Sequence, residues 1–193
     1  MYNLHNESSS GQRQHALARS HAVKRGAQAV IGRIVDVPLD RVSLTGADDR
    51  PGCVDELLFK SGVWPDARRA AMMLIAGDIA AWIADDHLHA ALFVLTAEIA
   101  EWASGLEPDG VTGERLRAYA GVSAMKRGAF AAAMMDVVEA VVALTTANWA
   151  LIEAVVGALL ARRCLLDADL QCLVAGRAVV PAEIVIWGGA DVH

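Results

Sequence analysis

The sequence predicts a mainly α-helical domain with a small β-hairpin or sheet, and three observations carry that prediction. Hydrophobic residues make up 55% of the chain while aromatics make up 5%, so alanine, valine and leucine supply most of the apolar surface, as in tightly packed helices. Apolar positions recur at helical spacing over most of the length. One segment, Arg41 to Phe59, alternates instead, around a turn rich in Gly, Asp and Pro. At 193 residues the chain fits one compact domain with a sizeable core. We divide it into a disordered lead-in over 1–12, a helical domain over 13–176, and an extended tail or edge strand over 177–193.

In chain order, MYNLHNESSSGQRQH lacks the apolar stretch of a signal peptide and reads as disordered from its Ser, Gly and Gln content. Helical periodicity runs from about Gln14 to Val35 until Pro38 interrupts it. Arg41 to Thr45 alternates as a strand, GADDRPG over 46–52 has turn chemistry, and Cys53 to Phe59 supplies a returning strand. Pro65 and Asp66 then suit the first turn of a helix reaching about Ala84. Asp85 or Asp86 caps the next helix, with an apolar face of Leu88, Leu92, Leu95 and Ile99. A loop follows over 105–113, and Thr112 caps a helix with Glu114 in its first turn. Phe130 to Arg163 reads as a long helical stretch broken near Thr145 and Thr146, and Asp167 as the cap of a short helix through Val174. Pro181, among β-branched residues, makes Arg177 to Trp187 an edge strand or tail.

A net charge of −6 and an isoelectric point near 5.4 give no general attraction to nucleic acid, and we expect no nucleic-acid partner. The basic residues Arg13, Arg19, Lys24, Arg25 and Arg33 read as a solvated helix face, with a local contact surface as the alternative. Cys53, Cys164 and Cys172 are odd in number and form no C-x-x-C pair, so the default is a reducing, cytoplasmic setting. Ala70 to Ala84 and Ala140 to Ile152 are apolar, yet each is shorter than the ~20 residues of a membrane-spanning helix. Asp136, Glu139 and Glu153 flank the second of them, so both read as buried core helices and no transmembrane segment is expected.

The chemistry turns on Ala22 to Leu44, AVKRGAQAVIGRIVDVPLDRVSL. Its frame resembles the active-site helix in the peptidase domain of FtsH-type ATP-dependent zinc metallopeptidases. There a similar run reads His-Glu-Ala-Gly-His, then an apolar helix, then a short proline-containing turn into a strand ending Val-Ser-Ile. In such a motif two imidazoles one turn apart share a Zn²⁺ and the glutamate acts as general base on its water. In this chain the motif position holds Lys24, Arg25, Gly26, Ala27 and Gln28. Lys24 and Gln28 keep the spacing and lose the ligands, and Arg25 cannot replace a glutamate base.

Two further segments carry the resemblance. MLIAGDIAAWIADDHLHAALFVLTA looks like the family's stretch leading to the aspartate that is the third zinc ligand. On that alignment Asp86 matches the ligand, with Asp85 as rival; the preceding loop is shorter, and Ala81 stands where the family has glutamate. NWALIEAVVGALLARRCLLDADLQCLV is similar to the family's closing helix pair. Together the three segments cover roughly two thirds of the chain, in the family's order.

The resemblance implies a catalytically inactive, peptidase-like helical domain that binds a protein or peptide partner or serves in assembly. It needs no cofactor, and homo-oligomers are expected by analogy with the family's rings. A carboxylate left without its metal needs a cation. We therefore expect a salt bridge from Lys24 or Arg25 to Asp85 or Asp86 where the ion would stand, beside an apolar groove. The alternative is a zinc-dependent endopeptidase using displaced ligands such as His15, His21 or His87. His87 and His89, in the run DDHLH, point to different faces of a helix and do not readily share one ion. The chain has no G-x-S-x-G elbow and no Walker A motif.

Overall fold

A computed structural model describes residues 6–44, 57–59, 67–104, 127–177 and 179–181. In chain order these form α1 (Asn6–Ile34), β1 (Leu39–Ser43), β2 (Leu57–Phe59), α2 (Ala67–Ala84), α3 (Leu88–Ala103), α4 (Arg127–Ala147), α5 (Trp149–Arg162), β3 (Cys164–Leu166) and α6 (Asp167–Ala175). The fold is mainly α with a small antiparallel sheet, as the sequence predicts. The 46–52 turn, the 105–113 loop and the helix begun at Thr112 lie outside the described residues.

Residue by residue, the helices differ from expectation at their ends. α1 begins at Asn6, inside the stretch expected as a disordered lead-in. Once a helix is nucleated, each added residue gains one hydrogen bond, so the periodic segment from Gln14 onward can extend backward through a weak helix former. At its other end α1 closes on Asp36, whose φ of 59° is left-handed. Val37 N–H donates to Gly32 O at 2.7 Å and Asp36 N–H to Arg33 O at 3.4 Å, the bond pair that ends a helix in a Schellman turn. Pro38 follows and cannot continue the helix.

The sheet has three strands in the order β2-β1-β3, and the third was not expected. Arg41 pairs with Leu58 of β2 on one side and with Leu166 of β3 on the other. β3 is three residues long and follows α5 through Arg163, which takes a left-handed φ of 66°. Three apolar residues between two helices have no period to read. The long apolar stretch breaks at Asn148, just after the expected Thr145 and Thr146, and α4 and α5 are bent there by 75°. α6 starts with Asp167 as its first residue, and the capping role falls to Asp169, whose Oδ2 accepts the Leu166 N–H at 3.0 Å.

α1 is the centre of the packing, lying along α2 and against α5. Its buried face is small (Ala22, Ala27, Ala29), with Val30 and Ile31 adding bulk, and it meets Met73, Ile75 and Ile79 of α2 and Ile152, Val155 and Leu159 of α5. Gly26 fixes the approach of α5: a Cβ there would lie 2.8 Å from Val156 Cγ2. Each of the large aliphatic side chains so buried stabilises the fold by about 1.5–3 kcal/mol. α3 packs against α4 through Leu95 and Ile99, with Leu88 and Leu92 half-buried, on the predicted face. Among the described residues no single helix is long and apolar enough to cross a membrane; α4 and α5 qualify by length and composition only as a bent pair.

Candidate functional site

The positions that the zinc motif would use form a polar seam between α1 and α2. The two helices run antiparallel, since Lys24 meets Asp78, Gln28 meets Leu74 and Gly32 meets Met73. Lys24 Nζ pairs with Asp78 Oδ1 at 3.1 Å, with 34% of the lysine side chain and 13% of the aspartate exposed. One turn along, the buried Gln28 uses both ends of its amide: Nε2 donates to Leu74 O at 3.2 Å and Oε1 accepts from Arg25 Nη1 at 3.0 Å. The amide lies against Gly77, where a Cβ would come within 3.0 Å of Nε2. A polar side chain is tolerated at that depth because the nitrogen and the oxygen of its amide each have a partner and the facing backbone leaves room for it.

The expected bridge to Asp85 or Asp86 is not made; the cation pairs with Asp78 instead. Register is the reason. With α2 running opposite to α1, Asp85 lines the same cleft as Ala16, Arg19 and Ser20, N-terminal to Lys24 on α1. Asp86 has a backbone task of its own, a left-handed φ of 57° that ends α2. Asp86 N–H donates to Ile83 O and His87 N–H to Trp82 O at 2.8 Å, a second Schellman turn. Neither aspartate caps α3; His87 holds that position, its carbonyl accepting the Ala91 N–H at 3.0 Å. Asp85 and Asp86 are both exposed.

Lys24, Arg25 and Gln28 do not fit a zinc ion. Two are cationic, the third is a neutral amide already hydrogen-bonded at both ends, and Asp78 is neutralised by Lys24. Of the histidines named as displaced ligands, His15 and His87 are exposed and His21 is half-buried; His89 is exposed as well. Among the described residues no three His, Cys, Asp or Glu side chains cluster as a metal site.

Beside the seam, toward the N-terminal half of α1, a cleft of about 730 Å³ opens between α1, the end of α2 and α5. Val23, Ile83, Trp149 and Ile152 give it an apolar floor, while Arg19, Asp85 and Glu153 stand exposed at its rim. Gly157 borders it on α5, and beyond its own helix no described residue comes within 4 Å of where a side chain would begin. Asp78 was missed as a site residue, although its signal was present: it is the one charge in the apolar run from Ala70 to Ala84. The α5 contribution had no such signal, because Trp149, Ile152 and Val156 read only as core.

At the corner between α4 and α5, Asn148 is 2% exposed and its side chain holds the main chain of Val180, in a short stretch outside any helix or strand. The chain matches no known protein family, no curated protein and no solved structure.

Proposed function

We propose that this chain is a catalytically inactive, FtsH-type peptidase-like domain that binds a protein or peptide partner in the cleft between α1, α2 and α5. The observation that carries this reading is the engagement of all three motif positions. Lys24 is tied to Asp78, and Arg25 and Gln28 are tied to each other, with Gln28 also on Leu74 O. In an active peptidase those positions ligate the metal and take a proton from its water, lowering the water pKa to about 7. In this chain the same three side chains fasten helix to helix. The neighbouring cleft supports the binding half of the reading, since an apolar floor with a charged rim is the usual anatomy of a peptide or protein site.

Two measurements test the proposal. Metal analysis of the purified full chain together with a casein-cleavage assay gives no stoichiometric metal and no cleavage. Stoichiometric zinc, removed by a chelator along with casein cleavage, would establish the endopeptidase reading through displaced ligands. Fluorescence anisotropy with a labelled tryptic digest of casein reports on the cleft, and Gly157→Trp weakens binding by filling it. Equal binding by the wild type and Gly157→Trp removes the cleft from the proposal. A cytoplasmic location, from the cysteine usage, and homo-oligomeric assembly belong to the same reading.

A further inference from the structure

Asn148 occupies the break between α4 and α5, and its main chain already has partners: its N–H donates to Leu144 O at 3.0 Å and its carbonyl accepts from Leu151 and Ile152. The side-chain amide is therefore free to do something else. Nδ2 donates to Leu144 O at 2.9 Å and to Val180 O at 3.1 Å, while Oδ1 accepts the Val180 N–H at 2.9 Å. The last two bonds hold both main-chain groups of a single residue. A neighbouring β-strand engages an extended residue in the same way. Such a contact reads the backbone and asks only that the residue held is not proline, which has no N–H to give.

Three further observations show what kind of segment the corner accepts. Val179 packs against the hydrophobic core, so the residue before the held one enters an apolar socket. Val179, Val180 and Pro181 are all half-buried and belong to no helix or strand. One turn before Asn148, Thr145 is 0% exposed and its Oγ1 has no hydrogen-bond partner among the described residues. A buried hydroxyl without a partner costs about 1–3 kcal/mol, so the corner offers more polar capacity than the tail uses.

We propose that the α4–α5 corner is a main-chain-reading site for an extended peptide, latched in cis by Val179 to Pro181, and that an extended Val-Val-Pro-like segment of a partner protein enters by displacing this strap. The local strap competes at the high effective concentration of a tethered ligand, so the intact chain takes the partner segment weakly until the strap lets go. The site is separate from the cleft, since neither Asn148, Thr145 nor Val180 lines it.

The test uses the full chain and the capped peptide acetyl-RAVVPAEIV-amide, the sequence from Arg177 to Val185, labelled for fluorescence anisotropy. Val180→Pro removes the strap's donor and leaves Asn148 intact. This variant binds the peptide about tenfold more tightly than the wild type, the effect expected for freeing one or two hydrogen-bonding positions. Adding Asn148→Ala to Val180→Pro abolishes the gain, and a peptide carrying proline at the position of Val180 does not bind. Gly157→Trp leaves the affinity unchanged, which keeps this test distinct from that of the cleft. Should Asn148→Ala not fold, Asn148→Leu replaces it, close to asparagine in shape and without donor or acceptor. Hydrogen exchange in the otherwise wild-type chain gives a second readout: Asn148→Leu, which removes the oxygen that accepts the Val180 N–H, accelerates exchange at Val180 while the buried α5 amides stay protected. Equal affinity in the wild type and Val180→Pro, binding that survives loss of the Asn148 amide, or no binding by either chain overturns the proposal.

Discussion

From Gln28 to Gly32, α1 meets α2 closely, with Gln28 on Leu74 and Gly77 and Gly32 against Met73, while Ala29, Val30 and Ile31 are buried around it. From Ala16 to Val23 the same helix faces the far end of α2 across an open cleft. Propensity does not separate the halves, since both are good helix. Polarity does: the closed half buries Ala29, Val30, Ile31 and Gly32, and the open half presents Arg19 and Ser20 on one side and Asp85 on the other. Between them stands the seam of Lys24, Gln28 and Asp78, whose partners are satisfied and whose geometry depends on Gly77. The lesson is that a polar residue can mark a boundary inside one helix pair, sealing on one side and opening on the other.

If the closed half is packed as described, Gly77→Val has the largest effect. Its side chain displaces the Gln28 amide and lowers stability by about 2 kcal/mol, read as a shift of the urea midpoint. An unchanged midpoint would mean that α1 and α2 are not in close contact at that level. Lys24→Met tests the boundary itself. It removes the ion pair from a partly exposed position, where a loss of about 1 kcal/mol lies between that of a surface pair and a buried one. A gain in stability would show that the pair separates the halves without holding them together.

On the open side the sign reverses. Gly157→Ala meets no described residue within 4 Å beyond its own helix and raises stability by about 0.5–1 kcal/mol, because alanine is the better helix former. A loss there would contradict an open cleft. Smallest is Asp86→Gly: with φ at 57° glycine is the less strained residue, so thermal unfolding shifts upward by the equivalent of about 0.5 kcal/mol or stays level. A large loss would give the Asp86 carboxylate a role beyond ending α2.

Most of the helix order was legible because its apolar period is sustained, as on α3, where Leu95 and Ile99 are buried as read. The break between α4 and α5 was placed within a few residues of Asn148. β3 was illegible, since its pairing with β1 depends on contacts far away in sequence. The expected salt bridge named the cation on α1 and misplaced the carboxylate on α2. Lys24, Arg25 and Gln28 could be named from a motif frame, but the carboxylate facing Lys24 follows from the register of two packed helices. Asp85 and Asp86 drew attention through an alignment, whereas Asp78 needed only the observation that a charge in an apolar run must have a partner.

β1 has one neighbour close in sequence and one that is far away: Val42 pairs with Leu57 on one edge and with Leu165 on the other. Closing a chain over the longer separation costs more entropy, and it can be repaid only once the intervening helices have brought the ends together. Loop-closure entropy alone therefore favours the local β1–β2 pairing first and the third strand after α4 and α5 have docked. In that sequence of events β3 acts as the clasp of the fold, and its loss would be felt in how fast the domain opens more than in how fast it forms.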